Sequence, residues 1–541
     1  MNLRRGAAIA VLLVAAGWAT WYFTQQSVPA AASQELRRGN GAEPDSIDPQ
    51  LARMEAAMTI LRDCYEGLVS MAPDGSTIPG AAESWSVSDD GRSYTFSLRK
   101  TARWSNGDPV VAADFAFAFR RLVNPKTASQ YALMLEPVVN ATDIVAGRKP
   151  PESLGVSAPD DATFVVQLAE PSTYFLAMLS HPSTFPVHRP TIAARPMDFA
   201  RPGVAVTNGA FVPVAWEIGS HIIAARNSHY WNDAATRLAS VRYVHVADPL
   251  TELTRFRAGD LDVTYTIPPG ELGRLELELP GQLRVAPHLG VYYYGFALDQ
   301  PPFRNAKALR RALAMTIDRD VLTRQVLGDG ERPAYSWVPP GVAAYQPQLF
   351  DWIGLPQDAR NAEARRLYAA AGYSKERPLE VELRYSKSPV HDRIALAVTA
   401  MWKEVLGIDV SIRSEDFRVL KQAIDARETV LFRGSWIGDY NDAYSFLQVL
   451  KGGFGINLPR YQNDVYDQAL ASASRSDGAE RARLLATAER QLLDDVPVIP
   501  LYFYVSKHLV APRVSGWYSN IMNVTYSRDL SLGPGSQGAR Q

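Results

Sequence analysis

The chain has 541 residues, of which 47% are hydrophobic and 21% charged, with 56 Lys plus Arg against 57 Asp plus Glu. That length implies three to four domains at roughly 150 residues each, and the near-zero net charge argues against a nucleic-acid binder that works by neutralising phosphates. The single cysteine, Cys64, excludes an intrachain disulfide and a cysteine-based zinc or iron–sulfur site.

In chain order, the first segment carries Arg4 and Arg5, an uncharged apolar run from Ala7 to Phe23, and then Val28-Pro29-Ala30-Ala31-Ala32. Basic start, apolar middle and small-residue end predict an export signal over 1–32. Its alternative is a retained anchor through residues 7–23, with Trp18, Trp21 and Tyr22 suited to a membrane interface. With no cysteine near the end of the run, a lipid anchor there is not expected. No later run is long enough to span a bilayer.

Trp85–Ser88 and Tyr94–Leu98 alternate apolar and polar residues around Asp89-Asp90-Gly91, predicting a β-hairpin. Asp114–Leu122 has helical spacing. Further on, Glu363–Ala371 reads as a helix stopped by Gly372, and Leu379–Tyr385 as a strand. His391–Leu406 reads as an amphipathic helix ended by Gly407, and Ile408–Ile412 as a strand. Asp416–Arg427 then reads as a helix and Thr429–Phe432 as a strand. This αβαβαβ order predicts an α/β architecture with a largely parallel sheet.

No enzyme constellation stands out. There is no H-E-x-x-H, P-loop or G-x-G-x-x-G, and the eight histidines are scattered. Ser97 and Lys100 match S-x-x-K only formally, because on an alternating strand they face opposite sides. No catalytic residue, cofactor or metal is expected.

The segments carry a different signature. Ala82-Glu83-Ser84-Trp85, Tyr94–Lys100, Trp104–Val110 with Asp114-Phe115, His181–Thr184, Thr207–Ala210 and Phe256–Asp262 occur in order. Ile317-Asp318-Arg319, Trp436–Tyr440 and Val498–Tyr502 follow. The series resembles the bacterial extracellular solute-binding proteins of family 5, the receptors of dipeptide and oligopeptide ABC importers, and most of all the oligopeptide-binding group.

The resemblance implies a class II periplasmic-binding-protein-like α/β fold, two lobes closing on a hinge plus an extra inserted domain. Lobe 1 (domain I) is expected from 33–65, 190–289 and 506–541, the inserted domain II over 66–189, and lobe 2 (domain III) over 290–505. It also implies an exported, periplasmic monomer that captures short peptides and hands them to an inner-membrane ABC permease. Asp439 matches the carboxylate that holds a peptide's ammonium end. Ser435, Trp436 and Ile437 match the strand that pairs with the peptide backbone. Arg433 and His391 match the carboxylate end, and Tyr131, Tyr265 and Tyr293 the cleft tyrosines. Departures fall at Arg53, Glu55, His288, Gly295, Leu327 and Phe417. Among them, Arg53, Gly295 and Leu327 favour the alternative of a receptor for another solute (murein peptide, opine or metal complex); a retained Trp18–Phe23 segment would instead suit a tethered sensor without a transport role.

Overall fold

The computed structural model describes residues 34–454 and 456–533. The expected export segment therefore lies outside the described residues. Among those described, no helix is long and apolar enough to cross a membrane.

Three sheets organise the chain. In the first, strand Glu35–Gly39 pairs in parallel with Ser240–Val244, followed by His221–Arg226 and Phe211–Glu217 in antiparallel order. An early segment is thus completed by strands some 200 residues later. The second sheet, in the order Ala82–Val87, Ser93–Leu98, Thr163–Gln167, Val156–Ser157, is antiparallel throughout. Its first hairpin is the one the alternation predicted, with Gly91 at φ +68 closing the turn. Helix Ala112–Val123 covers this sheet, seating Phe115 and Phe119 on Phe164. Asp114 ties the helix start down by accepting from the Val111 amide and the Trp104 indole at 3.1 Å each.

The third sheet has six strands in the order Arg332–Pro333, Val498–Leu509, Leu283–Phe296, Leu431–Ile437, Glu382–Ser386, Ser411–Glu415. It corrects the expectation of a largely parallel sheet. Glu382–Ser386 runs parallel to both Ser411–Glu415 and Leu431–Ile437, whereas every other pairing is antiparallel. The αβ run does make its parallel part. The antiparallel half is contributed by two long strands from elsewhere in the chain, which local periodicity cannot reveal. The helices Pro389–Leu406 and Phe417–Asp425 fall near their expected bounds, whereas the first, Gln357–Ala370, ends where expected but starts six residues before Glu363. The last two strands start two to three residues later than the apolar pattern suggests, because ladder pairing begins only at Ser411 and Leu431.

Strands Leu283–Phe296 and Val498–Leu509 connect the body of the first sheet to the third. They pair from Leu283 with Leu509 to Gly295 with Val498, with register shifts between Pro287 and Val291 and again between Tyr292 and Tyr293. At their first end the Leu509 carbonyl accepts from the Thr264 amide at 3.0 Å. Two strands crossing side by side, irregular in register at two points, form a narrow connection of the kind about which lobes can hinge.

Candidate functional site

Strand Leu431–Ile437 is where the fold leaves backbone unpaired. On one side it is laddered to Leu283–Phe296 along its whole length, from Phe296 opposite Leu431 to Gly290 opposite Ile437. On the other side only Leu431 and Phe432 pair, with Leu383 and Arg384. From Arg433 onward that edge is open, a row of N–H and C=O groups able to take an added strand. Gly434 fits here because the Tyr293 ring lies where a Cβ would go.

At the end of this strand the chain turns through Gly438, whose amide donates to the Leu289 carbonyl at 2.8 Å. Ser445 then fixes two site residues at once. Its carbonyl accepts from the Trp436 indole at 2.8 Å and its hydroxyl from the Asp439 amide at 3.1 Å. The Asp439 carboxyl is thereby held in place by its backbone. Burial, with the Glu55 charge second, pushes it up to about 7, and no cation among the described residues offsets them.

Asp439 and Trp436 line a cavity of about 270 Å³ with Tyr131, Met134, Tyr174 and Gln448. Tyr131 comes from the segment beyond helix Ala112–Val123, its ring 4.3 Å from that of His181, and burial followed by Asp439 raises its hydroxyl to about 12. Tyr174 crosses the cleft and stacks on Tyr444 at 4.5 Å and Tyr440 at 5.5 Å, with the Arg481 guanidinium 5.8 Å from its ring. Nearby, Glu170 and Arg475 face each other at 3.5 Å.

Arg433, six positions before Asp439, heads the other end. Its guanidinium lies over the Tyr292 ring at 4.7 Å and donates to the Tyr504 hydroxyl at 3.1 Å, while its buried Nε has no partner. His391 lies against the other reach of Tyr292, ring centroids 5.5 Å apart. Its Nδ1 is 2.7 Å from the Ser386 carbonyl, which requires the proton on Nδ1. Burial, then the Arg433 charge, pushes this imidazole down to about 4. At neutral pH its Nε2 is therefore an acceptor, which can meet a carboxylate only through a water, whereas the neighbouring Arg433 guanidinium is charged.

A second cavity of about 200 Å³ opens beside Arg433, Gly434, Ser435 and Trp436, with Tyr293 in its wall. Tyr293 is buried and set edge-on against Trp337 at 5.1 Å. The two cavities share Trp436 and Ile456. They therefore bring together Asp439, Trp436, Ser435, Arg433, Tyr131 and Tyr293, with His391 adjacent through Tyr292 and Ile437 exposed at the strand's end. Tyr265 lines neither cavity. It packs over Gly41, and its amide donates to Glu252 at 2.8 Å. Its hydroxyl is raised to about 12, chiefly by burial and then by Glu55.

Sequence reasoning did not place Tyr174, Gln448, Tyr292 and Tyr504 in the site. Tyr174 with Phe175 and the run Tyr292-Tyr293-Tyr294 belong to the family-like motif series, and Tyr504 alternates with Tyr502 on a strand, whereas Gln448 carried no signal. Several departures acquire physical reasons. A Cβ at Gly295 would run into the Phe432 ring, and Leu327 is buried in the core. Arg53 turns outward to Asp45 at 2.9 Å, whereas Glu55 pairs with Arg62 at 2.7 Å.

The model of the bacterial extracellular solute-binding proteins, family 5 Middle, matches residues 76–457. The chain belongs to that family. It is 37% identical over 521 residues to the periplasmic oligopeptide-binding protein OppA of Salmonella typhimurium, covering 94% of each chain. It is likewise 37% identical over 510 residues to the probable deoxycholate-binding periplasmic protein YgiS of Escherichia coli, covering 94% of this chain and 95% of that one. The structure of the Escherichia coli murein tripeptide-binding protein MppA superposes with a TM-score of 0.82 at 35% identity, covering 93% and 99% of the two chains. This family 5 chain thus has the fold of a periplasmic solute receptor.

Proposed function

We propose that this chain is an extracytoplasmic receptor that encloses a short peptide between its lobes and delivers it to an inner-membrane ABC permease. The observation that carries this reading is the open edge at Arg433–Ile437, bounded by an unneutralised carboxylate at one end and a guanidinium at the other. An extended peptide has unpaired backbone groups along its length, an ammonium at one terminus and a carboxylate at the other, so the three features answer it in order. At about 3.3 Å per residue the open edge spans roughly 13 Å, room for about four ligand residues. Asp439 receives the ammonium, and Arg433 the carboxylate, with His391 acting through water. Trp436 and Tyr131 wall the first ligand side chain.

The lobes divide as 33–65, 190–289 and 506–541 against 290–505, with 66–189 inserted. The pairing of Glu35–Gly39 with Ser240–Val244 and the two crossing strands support this division. The reading includes a monomer that works in the periplasm without lipidation, by binding and not by catalysis. Mass spectrometry of ligand released from the purified receptor by denaturation tests it. Short peptides are expected, and a sterol, sugar or metal chelate in their place would overturn it.

A second reading, a receptor of the same fold for another solute, is favoured by Gly295 and Leu327. These leave no acidic and no basic side chain at two positions where the resemblance implied ligand contacts. The same measurement separates the two.

A further inference from the structure

Helix Gly478–Asp495 carries a cation that lines neither cleft cavity yet engages the turn on which Asp439 sits. Arg481 donates to Asp442 Oδ1 at 2.8 Å, and both side chains are largely shielded from water, at 13% and 14% exposure. The same Oδ1 accepts from the Tyr444 amide at 2.8 Å, and the Asp442 carbonyl accepts from the Ser445 amide at 3.1 Å. Asp442 thus folds the chain back on itself, and Ser445 arrives where its hydroxyl and carbonyl hold the Asp439 amide and the Trp436 indole. The Arg481 guanidinium also lies 5.8 Å from the Tyr174 ring, which stacks on Tyr440 and Tyr444 of the same turn.

Among the described residues, Arg481 is the one cation paired with Asp442. Without it, the carboxylate would lose its counter-charge while still cut off from water, and the favourable response is to swing outward. Swinging outward breaks its bond to the Tyr444 amide, and with that bond goes the placing of Ser445. Because Arg481 lines neither cavity, its effect on a ligand has to pass through this turn.

We propose that Arg481 is a positioning residue for the ammonium anchor, acting on Asp439 through Asp442 and Ser445. The proposal rests on the peptide reading above. Losing Arg481 then damages recognition of the peptide's amino end and leaves the contacts along the rest of the ligand in place.

Titration calorimetry on the full chain stripped of ligand tests this with two probes, Ala-Ala-Ala and N-acetyl-Ala-Ala-Ala. The parent should bind the free amine about a hundredfold tighter, since acetylation removes the charge that Asp439 receives. In Arg481→Met that ratio should shrink about tenfold, through weaker binding of the free amine. Arg481→Lys, which can still pair with Asp442, should restore most of it. Ser445→Ala should shrink the ratio as well, and in the double variant the two losses should not add, since both act on one path. Should Arg481→Met fail to fold, Arg481→Gln takes its place, keeping a donor without the charge, with a several-fold loss expected. If the ratio stays at the parent's value, or the two losses add in full, the relay is overturned and the peptide reading stands. If the parent binds neither probe or does not distinguish them, the anchor at Asp439 and the proposal fall together.

Discussion

Replacing Asp439 with Asn should move ligand affinity and stability in opposite directions. The carboxyl titrates near 7 in the folded chain against 3.8 in an ordinary aspartate. The difference is about 3 pH units, and at 1.36 kcal/mol per unit it is an upper bound of about 4 kcal/mol. Because the folded value is raised, the unfolded chain ionises first. The destabilisation is absent below pH 4, grows between pH 4 and 7, and is complete above 7. The amide keeps the shape without the charge, and the Ser445 hydroxyl still holds the backbone. Ligand-free Asp439→Asn should therefore be the more stable protein at pH 8, by a few degrees in Tm at about 1 °C per kcal/mol for a chain of this size, and no more stable at pH 4. Its peptide affinity should fall about a hundredfold, since a charge-assisted bond is lost and the ammonium is left unpaired in a closed site. In the parent, affinity should fall as pH drops below 7, and in the variant that dependence should flatten. Scanning calorimetry at the two pH values, paired with titration calorimetry, measures all of this. Unchanged affinity, or a variant less stable at pH 8 than its parent, would refute the assignment of Asp439 as a carboxylate held ready for a ligand cation.

Other expectations follow from the same geometry. Arg433→Gln should weaken peptides with a free carboxylate about tenfold or more while barely changing their C-terminal amides, a comparison read by competition binding. Tyr174→Ala removes the stacks on Tyr440 and Tyr444 that tie the segment after the second sheet to the segment after strand Leu431–Ile437, beside Asp439. It should speed ligand release about tenfold in stopped-flow fluorescence, with Asp439's pH dependence retained. Glu489 is buried and accepts from the Trp337 and Val338 amides and from the Tyr345 hydroxyl at 3.0, 2.7 and 2.6 Å. Glu489→Ala, which leaves these donors unpaired, should cost about 3 kcal/mol or more in chemical denaturation.

The relation between the cleft and the chain explains why the peptide-binding reading depends on closure. Asp439, Arg433 and the open strand edge belong to the third sheet, and Tyr131 and Tyr174 to the segments around the second. The paired strands Leu283–Phe296 and Val498–Leu509 are the narrow connection about which, under that reading, the lobes would open and close. A ligand that touches both shifts the population toward the closed form by its differential contacts there.

Much of this molecule is written locally in its sequence. The hairpin at Ala82–Leu98, the helix at Ala112–Val123 and the helix ended by Gly407 follow from periodicity, turn chemistry and caps, which depend only on near neighbours. The motif series from Trp85 to Tyr502 marks the family, and within it Trp436 and Asp439 as the candidate site. Tertiary structure alone decided the rest. The sheet expected to be largely parallel became mixed because strands 283–296 and 498–509 enter it from a distance, and partner choice is not a local property. Tyr174 and Gln448 join Asp439 only because the second and third sheets face each other. The tautomer of His391 is set by the Ser386 carbonyl, the elevation of Asp439 by burial, and the second cavity by Phe417, Ile424 and Tyr293 converging from separate elements. Desolvation and cavity shape arise when distant segments meet, so these properties belong to the packed molecule and not to any stretch of its chain.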